Sequence, residues 1–78
     1  MNKQMKKWFD GLTTNEKQGL HQHKAEVIQW GWKVFSESGG LRPDPFDTVR
    51  LYTDSAKVDL TGKQVDYLAQ CVKDEQYR

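Results

Sequence analysis

Seventy-eight residues with Lys+Arg 12 against Asp+Glu 11, a net charge of +1 and one cysteine bound what this chain can be. Such a length means one small domain over 1–78, thinly stable because a chain this short buries only about 60–65% of its unfolded surface. The lone Cys71 excludes an internal disulfide, the balanced charge argues against a general polyanion binder, and no apolar run nears the length of a membrane span.

The start, MNKQMKKWFDG, has lysines but neither an apolar core region nor a small-residue cleavage site, so it does not read as a secretory signal. The expectation is a soluble, cytoplasmic, complete chain without a cofactor. Residues 2–10 predict a short helix, because Met5, Trp8, Phe9 and Leu12 follow the i, i+3, i+4, i+7 spacing of one helical stripe. Gly11 fits the left-handed position that ends it. Lys3, Lys6 and Lys7 lie off that stripe, as a solvated face or an anion contact.

Thr13 and Glu16 form a Thr-x-x-Glu capping box, so a second helix starts at once and the link is a tight corner. A helix-turn-helix DNA reader opens in the same way. Here the second helix begins TTNEKQGLHQHK without an arginine, the commonest reader of guanine, which makes it a poor recognition surface. This long helix runs to about Ser36 and is read as the element around which the rest packs. Leu20, Val27, Gly31, Val34 and Phe35 share one side, with Ile28 at the margin and Lys24 inside the stripe. A mid-helix glycine costs about 1 kcal/mol relative to alanine, so Gly31 suggests a close backbone crossing. Trp30 and Trp32 are about 200° apart on a helix, so one can seal the core while the other is left for solvent or an interface. His21 and His23 are at i, i+2, where side chains diverge, whereas zinc-binding helical pairs use i, i+3 or i, i+4. No metal site is expected.

Ser36-Glu37-Ser38-Gly39-Gly40 stops the helix. Gly39-Gly40 lacks the preceding strand and following Lys-Ser/Thr of a phosphate loop. Leu41 to Asp47, with two prolines, reads as a stiff surface connection. In it Phe46 anchors inward while Arg42 and Asp44 point out. Residues 48–60 alternate Val49, Leu51 and Thr53 against Arg50 and Tyr52, turn at Asp54-Ser55-Ala56 and alternate again from Lys57 to Leu60. That pattern predicts a β-hairpin over a helix capped by Asp47. The last helix is announced by the Thr61-x-x-Gln64 capping box and a Leu60–Val65 hydrophobic staple. Val65, Leu68, Ala69 and Val72 form its apolar face, with Tyr67 opposite, Cys71 flanking as a small apolar residue, and a fraying polar end.

The fold class is mainly α, or α+β with the hairpin, in the order α-α-(β-hairpin)-α. The expected core is Trp8, Phe9, Leu20, Val27, Ile28, Phe35, Leu51, Val65, Leu68 and Val72. No nucleophile motif accompanies the two histidines. Asp44, Asp47, Asp54 and Asp59 do not match a calcium loop. So small a domain also leaves little room for a dry pocket of several hundred Å3. Two functions fit. One is a non-catalytic protein-binding module, an adaptor or inhibitor of a larger host protein of the kind phages and plasmids carry. Its partner-binding residues would be Trp30, Gly31, Trp32, Arg42, Asp44, Phe46 and Tyr52, with self-pairing into a homodimer as an added use. The other is a nucleic-acid accessory protein in which Lys3, Lys6 and Lys7 with Trp8, or Arg42 and Arg50 with Tyr52, supply charge and stacking. Neither involves a membrane.

Overall fold

A computed structural model describes residues 3–41 and 44–76. Four helices follow one another: α1 (Lys3–Asp10), α2 (Thr14–Glu37), α3 (Pro45–Ala56) and α4 (Gly62–Gln76). Among the described residues there is no strand.

The helix starts are made locally. Thr13 Oγ1 accepts from the Glu16 N–H at 3.2 Å while Glu16 Oε1 accepts from the Thr13 N–H at 3.2 Å. The same exchange recurs between Thr61 and Gln64, at 3.3 and 2.9 Å. The stop after α2 is a Schellman motif: Gly40 N–H reaches Phe35 O at 2.9 Å and Gly39 N–H reaches Ser36 O at 3.4 Å. Both glycines have positive φ, 76° and 99°, which a side chain would resist. Gly11, by contrast, is not left-handed. Its N–H sits 3.2 Å from the carbonyls of both Lys7 and Trp8, so α1 ends by sharing one donor.

The expected hairpin is a helix. Asp44, expected to point outward, is its N-cap: Oδ1 accepts from the N–H of Phe46 at 2.9 Å and of Asp47 at 3.2 Å. Pro45 then occupies the first helical turn, where its missing donor costs nothing. Two prolines suggest a connector, yet Asp44-Pro45 is a helix start signal. Thr48, Val49 and Tyr52 fall on one buried face. Asp54 and Ser55, expected to form the hairpin's turn, lie exposed within α3, where their side chains face water. The helix closes on Lys57, left-handed at φ 53°, with Val58 N–H reaching Thr53 O at 3.1 Å.

Packing centres on α4 rather than on the long α2. The most extensive helix pairings are α3–α4 and α2–α4, then α2–α3. Leu20, Val27, Val49, Leu68, Ala69, Cys71 and Val72 are buried, with Tyr52 and Tyr67. Tyr67, placed opposite the apolar face from sequence, is only 4% exposed. The reason is α1: Phe9 stacks on the Tyr67 ring at 4.9 Å and 3°, and Trp8 lies 5.9 Å away at 50°. Thus α4 is covered from two sides, and a one-face pattern misplaces the tyrosine. Leu51 was assigned to the core and is 50% exposed, because helical winding turns it away from Val49 and Tyr52. Trp8, Phe9 and Val65 pack half-buried against the core, whereas Ile28 and Phe35, also expected there, are half-buried outside that cluster. The molecule measures 39 × 28 × 17 Å.

Candidate functional site

The residues singled out for partner contact separate into inner and outer sets. Gly31 is buried on α2. Tyr52 is 5% exposed. Trp30 packs half-buried against the core, with Lys33 Nζ 5.9 Å from its ring centre and its Nε1 donor buried without an acceptor. Arg42 lies outside the described residues. Trp32, Phe46 and Asp44 are exposed, so Phe46 does not insert as an anchor. The two tryptophans do divide the work as their spacing demands.

Trp32 is 45% exposed and sets its ring edge-on to Phe35, 5.6 Å between centres at 85°. Ser38 Oγ lies 3.1 Å from Phe35 O and 3.0 Å from Leu41 O, so its hydroxyl proton ties Leu41 back to the last turn of α2. Leu41 is exposed. Trp32 and Phe35 therefore pair near the C-terminal end of α2, and Leu41 is tethered to its last turn. From sequence Leu41 is only the first residue of the surface connection; its signal is an apolar residue directly after a glycine stop.

A polar network joins α2 to α3. The Tyr52 hydroxyl donates to Glu26 Oε2, and His23 Nδ1 is 2.8 Å from the Tyr52 hydroxyl oxygen. The Tyr52 hydroxyl has one proton and points it at Glu26, so His23 Nδ1 is the donor to the Tyr52 oxygen and carries the hydrogen. Burial, then the Glu26 hydrogen bond and charge, push the Tyr52 phenol far above its usual range. Burial beside Cys71 pushes Tyr67 up to about 12. Burial also raises the Cys71 thiol, against the opposing charge of Lys24. A thiol held protonated is a poor nucleophile.

Two open grooves flank these elements. One of about 370 Å3 runs between the start of α3 and α4, past Asp44, Phe46, Ala69 and Lys73. The other, about 320 Å3, lies between α2 and α3 beside Glu26, Trp30, Lys33 and Tyr52. The volume is larger than length alone suggested, but both are troughs open to solvent rather than enclosed cavities. Among the described residues no group of three or more His, Cys, Asp or Glu is arranged to hold a metal ion, and no helix is long and apolar enough to cross a membrane. No family model, curated protein or solved structure matches the chain.

Proposed function

We propose that this chain is a non-catalytic protein-binding module, an adaptor or inhibitor that acts by occupying the surface of a larger protein. The observation that carries the reading is Trp32, nearly half exposed and set edge-on against Phe35. Tryptophan is enriched among residues that dominate interface energy, and an indole held in one orientation loses little entropy on docking. Phe46 and Leu51 add exposed apolar area on α3. Against the nucleic-acid alternative, Tyr52 is buried and Trp8 packs half-buried on Tyr67, so neither offers an open stacking face.

The test is affinity capture from the native lysate with the parent chain and with Trp32→Ser in parallel. One defined protein retained by the parent and released by the variant is the expected result. No enriched protein, or equal enrichment on both, removes the reading. Labelled DNA and RNA should remain unshifted at low salt, where phosphate contacts are strongest.

A further inference from the structure

The four helices are not anchored alike. The extensive pairings join α2, α3 and α4 to one another, and α1 enters none of them. No residue of α1 is buried. It meets the core through Met5, Trp8 and Phe9, all half-buried, while Lys3, Lys6 and Lys7 are exposed. A helix shorter than ~12 residues is marginal in water on its own, and α1 has 8. Its first turn holds Lys3 and Lys6 and no acidic residue, the wrong sign for a helix N-terminus. The order of α1 therefore depends on its docking.

One side chain carries most of that docking. Phe9 stacks on Tyr67 of α4 at 4.9 Å and 3°. It also meets His21 of α2 edge-on at 5.6 Å and has Lys17 Nζ 5.7 Å from its ring centre. Trp8 adds a tilted contact with Tyr67 at 5.9 Å.

The junction lets α1 leave without disturbing its neighbour. The N–H groups of Gly11 and Leu12 bond back to the carbonyls of Lys7, Trp8 and Phe9, so they close α1. The next helix starts from its own capping box, Thr13 with Glu16, which draws nothing from α1. With α1 gone, the first turn of α2 is still satisfied. The fully buried Leu20, Val27, Val49, Leu68 and Val72 all belong to α2, α3 and α4. Tyr67 is the buried residue that loses its covering rings.

We infer that α1 is a hinged cover. It opens as one unit from a body of α2, α3 and α4 that stays folded, and in opening it uncovers the Tyr67 ring together with its own Trp8 and Phe9. The fold thereby keeps an apolar surface in reserve on α4. The contacts that hold it shut fall in the first turns of α2, at Lys17 and His21, whereas Trp32 lies towards the other end. This opening is separate from capture of a partner through Trp32, and either can fail without the other.

Native-state hydrogen exchange, followed amide by amide in urea below the unfolding transition, tests this. The amides of Lys7 to Asp10, those bonded within α1, should share one opening. It should be at least about tenfold more frequent than the opening that exposes Leu68 and Val72. It should also be nearly independent of urea, because little surface is released. Exchange at Leu68 and Val72 should follow global unfolding. Phe9→Ala should speed exchange in α1 by a further factor of about ten while the chain keeps one cooperative melt. Amides of α1 that exchange with those of α4 on a single urea slope overturn the inference, because the four helices then open together. Rates in α1 that climb residue by residue towards Lys3 also overturn it, since that is fraying of an end. So does a Phe9→Ala chain that has lost its cooperative melt.

Discussion

At the scale of single residues, three side chains carry more than their surroundings suggest. Lys57 is left-handed at φ 53°, a conformation that costs an L-residue about 1–2 kcal/mol. Lys57→Gly removes that strain while adding unfolded-state freedom, so it should stabilise the fold by roughly 0.5–1 kcal/mol in urea unfolding. Tyr52 supplies the hydroxyl that joins Glu26 to His23 across α2 and α3. Tyr52→Phe keeps the ring and removes both bonds, for an expected loss of roughly 1–2 kcal/mol. The same variant frees the His23 tautomer, which nitrogen chemical shifts would show as a changed Nδ1 signal. The direction of the Tyr67 shift, up to about 12 from 10.0, sets a further expectation. A raised acid favours the folded state while it stays protonated. Its contribution is complete below the unfolded value and disappears as pH climbs through the folded one. Tyr52 and Cys71 shift the same way. Melting temperature should thus fall steadily above about pH 9–10, without a matching loss just below neutrality from these groups.

At the scale of elements, the helix starts were legible and the third helix was not. The capping boxes at Thr13–Glu16 and Thr61–Gln64 are short-range chemistry, and they form as the residue types demand. The Asp44-Pro45 pair is equally local, but two prolines in four residues read as a rigid strap. The alternation of Val49, Leu51 and Thr53 then supplied a rival period. Five or six residues cannot separate a period of 2 from one of 3.6 when apolar residues are this dense. What settles it is burial: Val49 and Tyr52 go in, Leu51 stays out. Leu68→Ala should therefore cost ~2–5 kcal/mol, while Leu51→Ala should stay within ~0.5 kcal/mol. Were Leu51→Ala as damaging as Leu68→Ala in thermal unfolding, the helical assignment of Pro45–Ala56 would fail. Tyr67 was lost for a different reason. Its burial depends on α1 folding back over α4, a contact across more than fifty residues of chain that no local pattern announces.

At the scale of the whole molecule, the four described helices share one small core and leave the aromatic end of α2, Trp32 set against Phe35, at the surface. The candidate site was half legible from sequence: the 200° between Trp30 and Trp32 showed that one indole would be left outside, but not which, because that depends on where α3 and α4 close. The most direct check is site-specific photo-crosslinking in the native lysate. Benzoylphenylalanine placed at Trp32, and in a second preparation at the exposed Lys63 of α4, compares the docking end with a neutral position. One discrete adduct to a larger protein at Trp32, beyond any self-linked band at twice 9.1 kDa and missing at Lys63, is the outcome expected. An identical adduct pattern at both positions, or none at Trp32, would contradict the account.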